Sequence, residues 1–165
     1  LEAAGMVRFL HHRGVVVCPF GREQLRDICH VRRILETEAA RSACGRMERD
    51  ALEAFRRETL ALVDGAHDES WSRRALALDM AIHQAIANAC DNARLAEDIR
   101  RYDALVNTMG EVAGNRMDVQ DRGLSEHAAI LERLLAEDAD GAADAMARHI
   151  NNTARDLDAI MFAGG

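Results

Sequence analysis

Lysine is absent from this 165-residue chain: all 21 basic residues are arginine, set against 28 acidic ones, for a formal charge of −7. An acidic body of this kind is a poor binder of polyanions by itself. Proline occurs once, at Pro19, and aromatic residues make up only 4%, a scarcity that argues against a sandwich or barrel and for straight helices. Aliphatic runs such as Val15 to Cys18 are far too short to span a bilayer, and no segment has the layout of a signal peptide. The four cysteines, Cys18, Cys29, Cys44 and Cys90, form no CxxC pair and are too sparse for a disulfide scaffold. They are expected to be reduced, small core residues of a cytoplasmic protein with no membrane association. The first residue, Leu1, leaves open that the chain is part of something longer.

What is present is 48% hydrophobic and 30% charged side chains, enough for one sizeable core. Residues 1–20 stand apart: Met6 to Leu10 and Val15 to Val17 are apolar or β-branched runs around His11-His12-Arg13-Gly14, the pattern of a β-hairpin. From Pro19 and Gly21 onward apolar residues recur at helical spacing. That spacing predicts helices over about 22–45, 48–64, 69–90, 92–112, 120–137 and 140–161. Breaks are expected at Gly45, Asp64-Gly65, Asp91-Asn92, Gly110 to Gly123 and Asp138 to Gly141. The expected fold is all-α, an antiparallel bundle of about six helices preceded by a short hairpin, with residues 1–20 and 21–165 as its two units.

Polar residues interrupt the apolar seams. On the third helix Leu76, Asp79, His83, Ile86 and Cys90 share one face, and an Asp and a His at i and i+4 can ligate one ion. Taken alone, the pair is better accounted for by a structural Asp–His hydrogen bond, which is common in cores. The fifth helix puts His127 into a stripe with Leu124, Leu131 and Leu134 or Leu135. The sixth puts His149 into a face of Ala142, Met146, Ile150, Thr153, Leu157 and Ile160. With the intervening turn near Asp138, His127 and His149 each lie roughly 16 Å along their helices from that turn, at the same height. Three His and one Asp from three helices make a site for Zn, Ni, Mn or Fe(II), with Zn placed first, rather than for Ca or an Fe–S cluster. An octahedral ion would keep two positions for water or the carboxylate of a small acid. His11, His12, His30 and His67 read as surface or turn residues.

The chain resembles the FCD ligand-sensing domain of GntR-type transcriptional regulators, in the FadR and VanR-like branch. Several pieces carry the likeness, in order, over about residues 5–160. They are Gly5-Met6-Val7 and Arg13 to Val17, Val31-Arg32-Arg33-Ile34-Leu35-Glu36 with Ala39-Ala40, Asp79-Met80-Ala81-Ile82-His83 with Asn92, Ser125-Glu126-His127, Ala145-Met146 and His149-Ile150. Ile82 stands where the family usually has an aromatic residue, and six helices suit the VanR-like subgroup. The resemblance implies a divalent metal on Asp79, His83, His127 and His149, the four residues the spacing selects. It further implies a homodimer that senses a small organic acid and acts on operator DNA through a winged helix-turn-helix, of which only a wing-like hairpin is present. Arg32 would pair with the effector carboxylate or, alternatively, form a surface salt bridge to Glu36. Asn92, Arg101 and Asn107 are further effector candidates, Asn92 also being placed as a turn residue. Arg8, His12 and Arg13, with His11, would face DNA phosphate or the minor groove.

Two other functions fit the same residues. A helical metalloenzyme would use the site of three histidines and one aspartate with Glu126 as a base, although the Glu-x-x-His pairs of di-iron proteins and the HExxH motif are both absent. A purely structural or dimerisation module would treat the histidines as satisfied core groups. The resemblance favours a regulator, and no enzymatic activity is expected.

Overall fold

The computed structural model describes residues 7–10, 14–17, 20–114 and 116–163. Strands β1 (Val7–Leu10) and β2 (Gly14–Val17) pair antiparallel, with Val7 opposite Val17 and Leu10 opposite Gly14. The hairpin expected from the two apolar runs is therefore present. Of the residues assigned to DNA contact, His12 and Arg13 lie outside the described residues, and Arg8 is described only as backbone within β1.

Six helices follow: α1 (Arg22–Ala43), α2 (Arg49–Val63), α3 (Trp71–Ala89), α4 (Ala93–Val112), α5 (Met117–Leu135) and α6 (Ala139–Met161). Their ends obey local chemistry. Asn92 caps α4 by accepting from the Leu95 N–H at 3.1 Å, and Asp138 caps α6 by accepting from the Gly141 N–H at 2.9 Å. Helix α1 stops ahead of Gly45, whose φ of +73° only glycine adopts without cost. Between α5 and α6 the Asp138 N–H donates to the Arg133 carbonyl at 2.9 Å and the Glu137 N–H to that of Leu134 at 3.1 Å. This paired closure places Glu137 in the left-handed region, at φ 54°.

One expected boundary is corrected. The break foreseen across Gly110 to Gly123 narrows to the four residues between α4 and α5, and α5 opens at Met117 rather than near residue 120. Gly123 lies inside α5 with ordinary helical geometry, and an added Cβ would make only a van der Waals contact, 3.9 Å from His149 Cε1.

Helix α1 packs chiefly on α6, α5 on α6 and α2, and α3 on α1, α4 and α5. The larger core cluster gathers Trp71, Ile82, Ile86, Ile130, Leu131, Met146 and Ile150, and the alanines Ala39, Ala40, Ala43, Ala142 and Ala145 let α1 and α6 approach. Trp71 is fully buried and its indole N–H donates to the Leu62 carbonyl at 3.0 Å. A smaller cluster joins Leu25, Ile28, Leu105, Val106, Met109 and Leu157. Cys29 and Cys90 are free and buried, as expected of small core residues. Among the described residues no helix is long and apolar enough to cross a membrane.

Candidate metal centre

The polar residues that break the apolar seams meet inside the bundle. The α5–α6 turn sets His127 and His149 face to face, with ring centroids 4.4 Å apart, as the equal spacing from Asp138 requires. From α3, His83 completes the group: its Nε2 lies 3.1 Å from His127 Nε2 and 3.2 Å from His149 Nε2. Asp79, one turn earlier on α3, brings Oδ1 to 3.5 Å from His127 Nε2. The three imidazoles are 1–3% exposed. Potential ligand atoms of all four residues fall within 4.8 Å of one another.

These separations suit a shared cation. Two nitrogens each bound at about 2.1 Å to one ion stand about 3.0 Å apart at a right angle and about 3.4 Å apart at a tetrahedral one. The outer ring atoms also fit. His83 Nδ1 donates to Glu36 Oε2, and His149 Nδ1 donates to Glu126 Oε2 at 2.8 Å. A carboxylate on Nδ1 fixes the tautomer that turns the Nε2 lone pair toward the centre. Glu126 is held in turn by Asn152 Nδ2 at 2.6 Å. His127 Nδ1 is buried without a partner among the described residues.

Behind His83 lies a charged network in which the Arg32–Glu36 pair is buried and joined by Asp103. Arg32 is 4% exposed and Glu36 2%. Arg32 Nε pairs with Glu36 Oε1 at 2.6 Å, and its guanidinium meets Asp103 Oδ1 from α4 at 2.9 Å. Burial alone would raise the Glu36 carboxyl, but Arg32 and then His83 hold it at about 2. Burial would likewise lower His83, and the Glu36 charge and hydrogen bond overcome this, pushing it up to about 9. Asp103 rises to about 6 through burial and repulsion from Glu36. His127 is driven well below the ordinary histidine range by burial and by His149, so it stays a neutral donor.

A cavity of about 120 Å³ opens beside Asp79, His127 and His149, and Arg32 and Asn107 also line it. The other two effector candidates lie elsewhere. Asn92 is exposed and spends its side chain as the α4 cap. Arg101 points to solvent, where it pairs with Glu97 and Asp98, because its position on α4 falls on the face away from the bundle. The Arg32–Glu36 pair, which one of the two readings of Arg32 placed at the surface, is internal, and Arg32 lines the cavity as the other reading expected. Asp103 is a neighbour of the centre that sequence reasoning missed, and Glu36 was read there only as a partner of Arg32, because the i, i+4 Arg–Glu spacing is the same in exposed and buried pairs.

The model of the FCD domain family matches residues 27–152, and no curated protein matches the chain. The match covers most of the helical bundle and includes all four residues of the centre. FCD domains form the C-terminal, effector-binding part of GntR-type transcriptional regulators, a family of sensors rather than enzymes. The chain belongs to the FCD domain family.

Proposed function

We propose that this chain is the effector-sensing part of a cytoplasmic GntR-type regulator of the VanR-like branch, holding one divalent transition metal, Zn first, on Asp79, His83, His127 and His149. A small organic acid would bind in the adjoining cavity with its carboxylate on the metal. The observation that carries this reading is the convergence of three Nε2 atoms at 3.1–3.2 Å with an Asp oxygen beside them. Three neutral imidazoles so placed oppose their lone pairs unless a cation or a shared proton lies between them. Charge supports the metal. The buried carboxylates Glu36 and Asp103 and the partly exposed Asp79 face Arg32, the one buried arginine among the described residues, and once His83 has given up its proton a divalent ion balances the remainder.

Residues 1–20 would then be the wing of a winged helix-turn-helix and 21–165 the sensing unit. In a homodimer of the whole regulator, the acid favours one helix arrangement over another and alters the spacing of two DNA-reading heads. Arg8, His12 and Arg13 would meet the DNA backbone or minor groove there. The metal supplies a Lewis-acidic anchor for a carboxylate. The chain's own residues orient the ligands through Glu36 and Glu126, shape the cavity and keep bulk water from the imidazoles.

The test is elemental analysis of the purified chain beside His149→Ala after dialysis in metal-free buffer. About one transition metal per wild-type chain and much less in the variant is the expected result. No metal in either, even after re-addition, overturns the reading and returns the histidines to structural roles.

A further inference from the structure

Two features of the cavity beside the centre bear on what it accepts. The first is its axis. From His149 the lining continues along α6 through Thr153, Leu157 and Ile160, which spans about 16 Å at the helical rise. Leu76 on α3, Val106 on α4 and Val119 on α5 complete this stretch. One end is therefore ionic and the rest is mainly aliphatic, with Asn107, Arg116, Gln120 and Thr153 as its polar groups.

The second is the state of its polar groups. Arg32 is committed to Glu36 and Asp103. Gln120 accepts from the Ser72 hydroxyl at 2.7 Å and donates to the Ser72 carbonyl at 3.3 Å. The Thr153 hydroxyl donates to the His149 carbonyl at 3.1 Å. Arg116 grips Asp118 with two N–H groups, at 3.0 and 2.9 Å. Outside the centre itself, one buried polar atom of the described lining residues has no protein partner: Asn107 Nδ2. It sits one turn beyond Asp103 on α4, past the ionic end. An orphaned buried donor is costly, and a ligand acceptor that meets it recovers that cost.

We infer that the cavity selects a small monocarboxylic acid with an apolar body, aromatic or branched, bearing one hydrogen-bond acceptor that Asn107 Nδ2 meets. This rests on the metal-centre reading, since the carboxylate is anchored there. A second carboxylate finds no uncommitted cation among the described lining residues. A polyhydroxylated acid would bury several hydroxyl groups against Leu76, Val106 and Leu157, where Gln120 and Thr153 are already hydrogen-bonded within the protein and Asn107 Nδ2 is left to serve them.

The experiment is calorimetric titration of the zinc-loaded chain with benzoate, 3- and 4-hydroxybenzoate, glutarate and gluconate, with zinc content measured on the same samples. One hydroxybenzoate should bind about tenfold more tightly than benzoate, the gain of one well-made hydrogen bond to a buried donor. Glutarate and gluconate should bind more weakly than benzoate. In Asn107→Leu the preference for the hydroxybenzoate over benzoate should disappear, with zinc content unchanged. Glutarate or gluconate binding as tightly as benzoate overturns the inference, as does a hydroxybenzoate preference that survives Asn107→Leu. Failure of every acid to bind a chain that retains zinc also overturns it, and leaves the centre standing. A chain that takes up no zinc removes the centre and the inference together.

Discussion

Glu36 decides which nitrogen of His83 faces the centre, so its charge matters more than its size. In Glu36→Gln the amide still fills the space, but the negative partner of the His83 Nδ1–H is gone. Zinc affinity should fall by roughly ten- to a hundredfold, as for other partners of metal-ligating histidines, read by competition with a chromophoric chelator. The same contact sets a pH signature in metal-free protein. Folding raises His83 from 6.5 to about 9, so its contribution to stability is complete below about pH 6.5 and is lost as pH rises through 9. The thermal midpoint of the metal-free chain should decline across that window, and Glu36→Gln should flatten the decline. A slope of the opposite sign would show that His83 is not held protonated by Glu36. Zinc must also expel this proton, so uptake near pH 7.5 should release about one proton from His83, visible as a buffer-dependent binding heat. All four centre residues were legible, Asp79 and His83 by their i, i+4 spacing on an apolar face, His127 and His149 because imidazoles on apolar stripes at equal distance from a turn are hard to explain apart. The burial of Glu36 and Asp103 was not, since burial of a carboxylate depends on what the neighbouring helices bring to it, and no local pattern records that.

At the scale of elements, the α5–α6 turn positions two of the three histidines, and its chemistry is uneven. Glu137 adopts a left-handed backbone at φ 54°, where a side chain costs about 1 kcal/mol relative to glycine. Glu137→Gly should therefore stabilise the chain, by less than that figure because the unfolded chain also gains freedom. Asp138→Ala, which removes the α6 cap, should destabilise it by about 1 kcal/mol. Denaturant midpoints check both, and zinc stoichiometry should stay unchanged in each. The helices themselves were legible to within a few residues because their apolar periodicity is sustained and their ends carry Gly, Asn or Asp. Gly123 is the exception: it reads as a breaker, yet it lies within α5, because the packing of α5 on α6 and α2 outweighs the low helix propensity of one glycine. Arg101 and Asn107 look alike in the sequence as polar residues of α4, and only the rotation of that helix against the bundle separates a solvent-facing ion pair from a buried amide.

For the molecule as a whole, the centre lies between two hydrophobic clusters and draws groups from α1, α3, α4, α5 and α6. Binding confined to the folded state stabilises it by about 2.7 kcal/mol at a hundred times the dissociation constant. For a domain of this size that is a rise in thermal midpoint of about 5–10 °C. Calorimetric scans with zinc and with excess chelator should differ by this amount, and equal midpoints would argue that the histidines are ordinary core residues.

The packing of the first helix against the last has a consequence in time. His83 and His149 are 66 residues apart, and α1, which supplies Glu36, closes chiefly on α6. Until the final helix has been synthesised and has docked, the nascent chain has neither a third imidazole nor a cover over Glu36. A bound ion is thus a mark of completed folding: it would act as a late latch, slowing escape from the finished bundle while leaving the speed of its assembly nearly untouched.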